Sequence, residues 1–97
     1  KIYLKDIMYI EYLDRKTILH FSDGKEIITT YPLKYWIDKL KGFSFAQPHK
    51  SFIVNFTYIK EFDTIDIILT NKERIPLSRH YKKEFEAEYI LNLHKAL

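Results

Sequence analysis

The sequence predicts a mainly β domain with one short helix near the middle of the chain and a longer helix at its C-terminal end. Most of the chain divides into short apolar runs separated by turn-forming residues, which is the pattern of strands. Only two segments space their apolar residues three and four apart, as helices do. With 97 residues, the chain is long enough for a single domain with a core of its own.

The first part of the chain is predicted to form a β-meander. The apolar segments 6–13, 17–21 and 25–30 follow one another with only short polar stretches between them. Asp23 and Gly24 precede the third segment, and an Asp-Gly pair suits the positive φ angles of a tight hairpin. We therefore expect three consecutive antiparallel strands.

A short amphipathic helix is expected next, within residues 32–42. Pro32 suits the first position of a helix, and Gly42 suits its end. The apolar side chains between them recur at helical spacing. They are Leu33, Trp36, Ile37 and Leu40. This helix would cover one face of the meander.

Strand patterns return at 57–62, 66–70 and 74–77. The last segment, from Ser78 to Leu97, is predicted to be a helix because an apolar side chain recurs at every fourth residue. These side chains are Tyr81, Phe85, Tyr89, Leu93 and Leu97. The chain therefore ends in a helix that packs on the strands through one stripe.

The composition argues against enzymatic and metal chemistry. There are no cysteines, which removes disulfides, a thiolate nucleophile and a Cys-based zinc site. The four histidines show no i, i+4 pairing, and two glycines leave no glycine-rich phosphate loop. Ser51 near His49 in sequence is not the geometry of a catalytic triad. We expect no enzymatic activity, no metal, no cofactor and no small-molecule substrate.

Hydropathy predicts a cytoplasmic protein, and its charge permits an anionic partner. No window approaches 18 consecutive apolar residues and no signal-peptide pattern opens the chain, so we expect neither membrane insertion nor export. The net charge of +3 permits an anionic partner without requiring one. Because the cations are spread over both halves of the chain, folding has to assemble any anion-binding surface.

The strongest basic cluster is RHYKK at 79–83, whose cations are Arg79, His80, Lys82 and Lys83. Ser78 is a good N-cap, so these cations would lie in or next to the first turns of the final helix. There, each cation opposes the helix dipole at a cost of about 0.3 to 1 kcal/mol. A phosphate would relieve this cost, since free N–H groups at a helix start favour an anion. A solvated cationic turn beside neighbouring glutamates explains the cluster equally well.

The segment QPHKSFIVNF at 47–56 places a proline and two cationic or titratable side chains ahead of an apolar run. Pro48 suits an irregular turn or a first helical position, and the apolar run would anchor that turn in the core. His49 either contacts a ligand or ties loop carbonyls together, and Lys50 either binds a ligand or is an ordinary surface lysine. Asn55 is expected to satisfy buried backbone groups.

Arg15 and Lys16 form a third basic tip, between the first two strand segments. A turn at this place would more often use Gly or Asn. The aromatic residues are assigned to the core and its rim, because they do not concentrate in one strand pair between basic residues as base-stacking platforms do.

These segments, in this order, resemble the LytTR DNA-binding domain of bacterial transcriptional regulators. The resemblance covers nearly the whole chain through LKDIMYIEYLDRKTILHFSDGKE, PLKYWIDKL, FAQPHKSFIVNFTYIKEF and RIPLSRHYKKEF. Its most specific part is HKSFIVN followed by YI, and then IPLSR with YKK further along. The resemblance makes double-stranded DNA the expected partner.

The resemblance also implies an architecture and a biological setting. It implies elongated antiparallel β-sheets in a β-sandwich, whose loops enter successive major grooves in place of a recognition helix. It implies a single domain at 1–97 that is the C-terminal effector part of a longer regulator, after a receiver or sensor domain. Family operators are typically paired direct repeats, so we expect a monomer in solution that pairs on DNA.

Carried over by position, the resemblance implies roles for individual residues. Arg79 would be the principal base reader, and Lys50 would stand in the second base-reading loop, where it replaces the more usual arginine. The loop of Arg15 and Lys16 would be the third base contact. Residues implied to lie near the DNA backbone or to position the loops are His49, Ser51, Ser78, His80, Tyr81, Lys82, Lys83 and Asn55.

Two other classes of function are compatible with these residues. The first is a protein-interaction module whose basic loops bind an acidic partner, and such a module would show no preference among duplex sequences. The second is a small RNA-binding β-domain, which needs exposed aromatic side chains on one sheet face. The sequence identifies no such set.

Overall fold

Two antiparallel sheets and two helices form the domain in the computed structural model, which describes residues 2–96. In chain order the strands are β1 (Ile7–Leu13), β2 (Lys16–Phe21), β3 (Glu26–Thr29), β4 (Phe45–His49), β5 (Phe52–Asn55), β6 (Ile59–Phe62), β7 (Asp66–Leu69) and β8 (Arg74–Pro76). The helices are α1 (Leu33–Lys39) and α2 (Arg79–Ala96). The predicted mainly β class with a short middle helix and a C-terminal helix is confirmed.

The two sheets differ in size and in strand order. The first has the strand order β3-β2-β1-β5-β4, and the second has the order β6-β7-β8. The predicted meander is present, since β1 pairs with β2 and β2 with β3. β1 is the central strand, because Tyr9 lies opposite His20 on one side and opposite Val54 on the other. The β1–β5 pairing links two halves of the chain.

The hydrophobic side chains form two clusters, one on each face of the larger sheet. The first cluster fills the space between the two sheets and α2 and includes Val54, Ile67, Leu69, Ile75 and Phe85. The second lies under α1 and includes Ile7, Ile10, Leu19, Leu33, Leu40 and Ile53. The smaller sheet packs against the larger one through the first cluster, and the domain measures 32 × 27 × 26 Å.

α2 is held by an aromatic cluster in its first half. The ring of Phe85 is fully buried and lies 5.6 Å from that of Phe56 and 5.2 Å from that of Phe62. Tyr89 packs against the same two rings. The predicted stripe ends there, because Leu93 is 47% exposed beyond the packed cluster. Leu97, the last residue of that stripe, lies outside the described residues.

Three local predictions are wrong, each at a single place in the backbone. Pro32 is the N-cap of α1 and not its first residue. Pro48 is buried within β4, an edge strand, where the β4–β5 register shifts between Ala46 and His49. A proline is tolerated at an edge or an irregularity because no ladder bond is lost. The strand predicted from residue 57 begins at Ile59, because the chain first makes a short 3₁₀ turn.

Candidate nucleic-acid interface

The first two basic segments lie side by side at one end of the larger sheet. β1 ends at Leu13, and its antiparallel neighbour β5 begins at Phe52, so the β1–β2 turn and the β4–β5 turn share an edge. The backbone N–H of Tyr12 donates to the carbonyl of Ser51 at 2.9 Å. The two turns are two strand spacings apart, or about 10 Å. We call this edge the basic end.

The start of α2 is joined to the same edge by the backbone. The N–H of Ser78 donates to the carbonyl of Pro48 at 2.8 Å. Since Pro48 lies just before the β4–β5 turn, this bond sets the first residue of α2 next to that turn. The basic end therefore brings together Arg15, Lys50 and Arg79, which are far apart in sequence.

The β1–β2 turn consists of two residues in an unusual backbone conformation. Leu13 pairs with Lys16, so only Asp14 and Arg15 form the turn, and Lys16 is the first residue of β2. Both turn residues have positive φ, 51° and 64°, as a tight type I′ hairpin requires. Glycine and asparagine take this conformation at lower cost. Both Asp14 and Arg15 therefore occupy positions that are strained for a residue with a Cβ.

This conformation makes the stability effect of substitutions at Arg15 predictable. Arg15→Gly is expected to raise the free energy of unfolding by about 0.5 to 1 kcal/mol, because glycine avoids the Cβ penalty of positive φ. Arg15→Ala keeps that penalty and is expected to leave stability nearly unchanged. Urea unfolding of both variants measures the difference. A loss of stability in Arg15→Gly would contradict the turn geometry.

The β4–β5 turn is organised by a histidine and presents a lysine. Nδ1 of His49 accepts the backbone N–H of Ser51 at 3.0 Å, and its ring packs edge-on against Phe52 at 5.6 Å. His49 therefore ties the turn together through an N–H group and not through carbonyls. The carbonyl of Lys50 accepts from Nε2 of Gln47 at 3.4 Å, while the Lys50 side chain is exposed. The fixed turn directs this cation to solvent.

The first turn of α2 carries cations and begins beside the β4–β5 turn. Arg79 and His80 are exposed, and the first turn contains no acidic residue. The ring of His80 contacts that of Tyr81 at 5.2 Å, and both Tyr81 and Lys82 are half-buried. The N–H groups of a helix start lack partners within the helix. The N–H of Tyr81 is paired with the carbonyl of Ser78 at 3.0 Å, and N–H groups left unpaired at a helix start favour an anion in general.

Asn55 is a predicted site residue that lies away from the basic end. It stands at the opposite end of β5 and is 2% exposed. Its Nδ2 donates to the carbonyl of Ile7 at 2.9 Å, and its Oδ1 accepts from the N–H of Thr57 at 3.0 Å. Asn55 thus satisfies buried backbone groups and begins the 3₁₀ turn. Its two hydrogen bonds go to the chain at the other end of β5 and not to the basic turns.

The β6–β7 turn also lies at the basic end, although no pattern in the sequence predicts this position. The β6–β7 turn at 63–65 is tied to the segment before α2, because the N–H of Leu77 donates to the carbonyl of Ile65 at 2.9 Å. The turn carries no cation, so no charge pattern marks it in the sequence. Its location follows from the pairing of β7 with β8.

The rest of the described surface shows a groove and no metal-binding group. Among residues 2–96, no three His, Asp or Glu side chains are grouped closely enough to hold a metal ion. A cavity of about 240 Å³ lies between α1, β4 and the middle of α2. None of the helices in this part of the chain is long and apolar enough to cross a membrane.

The fold and the basic end define a mainly β domain in which two basic turns and a basic helix start lie together. The family model of the LytTr DNA-binding domain matches residues 1–90, and the chain belongs to this family of DNA-binding domains.

Individual relatives agree with this assignment. The chain is 33% identical to the sensory transduction protein LytT of Enterococcus faecalis over 93 residues, which cover 89% of this chain and 38% of the relative. It is 33% identical to the transcriptional regulatory protein LytR of Staphylococcus aureus over 76 residues, 73% of this chain and 30% of that protein. The chain thus spans about a third of the length of the curated relatives it matches.

A solved structure shows the same fold. It is the LytTr DNA-binding domain of a Bacillus cereus protein described as a methyl-accepting/DNA response regulator. The TM-score is 0.82 at 28% sequence identity, and the match covers 90% of this chain and 84% of that one. The resemblance seen in the sequence is therefore confirmed at the level of family and fold.

Proposed function

We propose that this domain binds double-stranded DNA sequence-specifically for transcription regulation, by inserting the turns of its basic end into the major groove. The observation that carries this proposal is the convergence of Arg15, Lys50 and Arg79 at one end of a family member. Two backbone hydrogen bonds, Tyr12 to Ser51 and Ser78 to Pro48, support it by fixing the turns relative to one another.

The chemistry of the three tips suits base reading. Arg79 is exposed at the first residue of α2, and its planar guanidinium can donate two parallel hydrogen bonds to O6 and N7 of guanine. Lys50 offers a single flexible ammonium at its turn, so it contributes less geometric specificity. Arg15, followed by Lys16 on β2, supplies the third base contact. A domain 32 Å long covers about one helical turn of DNA.

The remaining polar residues of the basic end bind phosphates or position the tips. His49 orients the β4–β5 turn through the Ser51 N–H, and Ser78 orients α2 through Pro48. The phosphate contacts come from the side chains next to Arg79 and from the turn hydroxyl. They are Ser51, Ser78, His80, Tyr81, Lys82 and Lys83. Such contacts set affinity and register without reading sequence.

The domain is, in this proposal, the cytoplasmic effector part of a longer two-component regulator. Its relatives are much longer than the matched region, which leaves room for an N-terminal receiver or sensor domain. Copies of the domain pair on direct-repeat sites and are monomeric without DNA. The domain needs no metal, cofactor or small-molecule substrate for this function.

Selection of bound duplexes from a random pool at near-physiological salt tests the proposal. A short enriched motif is the expected result, because base contacts from fixed turns favour particular sequences. Binding to every duplex that disappears equally as salt rises would overturn sequence-specific binding. That outcome, or no binding at all, would favour the alternative of a module whose basic turns bind an acidic protein.

Lys82→Ala is expected to weaken binding to all duplexes alike. A phosphate contact carries no sequence information, so the selected motif stays the same. The slope of log K against log salt concentration becomes less negative by about one, because one phosphate contact is lost. Fluorescence anisotropy at several salt concentrations measures this slope. Lys95→Ala is the control, since Lys95 is about 20 Å further along the helix. A changed motif in Lys82→Ala would contradict the phosphate role.

A further inference from the structure

The β6–β7 turn at 63–65 lies at the basic end but differs from the other turns in chemistry. The backbone N–H of Leu77 bonds the carbonyl of Ile65, so this turn is fixed within two residues of Arg79. It contains no Lys or Arg and carries instead an acid, Asp63, and an exposed apolar side chain, Ile65. The backbone of this turn therefore lies next to the segment that leads into α2.

The side chain of Asp63 holds the backbone of this turn through two hydrogen bonds. Oδ1 of Asp63 accepts the N–H of Ile65 at 2.9 Å and the N–H of Asp66 at 2.8 Å. These two bonds hold the pKa of the Asp63 carboxyl below its ordinary value, so it stays ionised. Ile65 is β-branched and stiff at χ1, and its side chain is 66% exposed. An exposed side chain with few rotamers therefore stands on a turn whose backbone is held in place.

The charge of this turn decides which part of a duplex it can face. An ionised Asp63 is repelled by phosphates, so the turn does not suit the DNA backbone. The edges of bases in the major groove include one apolar group, the 5-methyl of thymine, which aliphatic side chains contact. A lone exposed isoleucine is ordinary on a protein surface, and what distinguishes Ile65 is the backbone bond that joins it to Leu77, two residues before Arg79.

We propose that Ile65 is a specificity-determining residue that contacts the 5-methyl group of a thymine close to the base bound by Arg79. This inference rests on the proposed function of the basic end and adds an apolar contact to its polar ones. Burial of one methyl group corresponds to about a three- to fivefold preference for thymine.

Two measurements test the contact. The first is selection from a random pool with the wild type and with Ile65→Ala. The second compares binding of the selected duplex with binding of the same duplex carrying deoxyuridine at its thymine positions, since deoxyuridine lacks only the methyl group. Ile90→Ala is the matched control, because Ile90 is 53% exposed on α2 and lies about 16 Å from Arg79. Circular dichroism checks that each variant is folded.

We expect the wild-type motif to contain a thymine position that the motif of Ile90→Ala keeps. The motif of Ile65→Ala should no longer favour thymine at that position. At that position deoxyuridine weakens wild-type binding about three- to fivefold and leaves Ile65→Ala binding unchanged. If Ile65→Ala selects the complete wild-type motif, the role of Ile65 is overturned while the proposed function stands. An equal loss of affinity with deoxyuridine in both proteins has the same meaning. If the wild type selects no motif, the proposed function fails together with this inference.

Discussion

Phe85→Ala is expected to lower the free energy of unfolding by about 3 to 5 kcal/mol. The Phe85 side chain is fully buried where α2 meets both sheets, and three other aromatic rings surround it. Removing the ring loses its transfer free energy and leaves a cavity that rigid neighbours cannot close. A domain of this size has about 5 to 15 kcal/mol of stability in total. This single ring therefore accounts for a large share of it.

Urea unfolding followed by circular dichroism measures this loss, and the melting temperature should fall by more than about 10 °C. Phe43→Ala is the matched control, since the same atoms are removed from a side chain that is 58% exposed. We expect the control to cost less than about 0.5 kcal/mol. Equal, small effects in the two variants would mean that α2 does not pack on the sheets through Phe85.

Arg79→Ala is expected to remove about 1 to 3 kcal/mol of discrimination at one position of the DNA site, roughly five- to 150-fold in relative affinity. A neutral side chain at this position cannot replace the two hydrogen bonds of a guanidinium to guanine. The protein itself should not lose stability, because the substitution removes a cation from a helix N-terminus, where a cation is unfavourable. A loss of DNA preference without a loss of melting temperature is the signature.

Parallel selections with wild type, Arg79→Ala and Arg79→Lys measure the discrimination. Arg79→Lys keeps the charge and should retain the salt dependence of binding, but it should lose most of the preference for guanine because an ammonium lacks the planar fork. If Arg79→Ala selects the wild-type motif unchanged, Arg79 is not a base reader. If Arg79→Lys behaves as the wild type does, charge alone explains the contact.

Local patterns in the sequence predicted most of the secondary structure. Strand and helix periodicities depend on which side of an element is buried, so β1, β2, β3 and both helices can be predicted without long-range information. The motif HKSFIVN and the segment IPLSR with YKK were enough to indicate the family that the comparison confirms. The structural interpretation of Asn55 also followed from its place at the end of an apolar run.

The misplaced Pro48 and Leu93 share a physical cause, which is that each depends on how a neighbouring element pairs or packs against it. Pro48 was expected in a turn, but the strand next to it makes room for a proline inside β4. Leu93 fits the helical stripe, but the aromatic cluster that would cover it ends one turn earlier. Whether an apolar side chain is covered depends on the extent of the opposing sheet, which a helical pattern does not contain.

By itself, then, the sequence determined the strands, the two helices, the family and three basic segments at separate places in the chain. The tertiary structure decided that the three segments form one surface. The register of β1 against β5 and the bond from Ser78 to Pro48 join residues that are far apart in sequence, and no local pattern encodes such pairs. The same kind of long-range bond, from Leu77 to Ile65, added a turn without any cation to that surface.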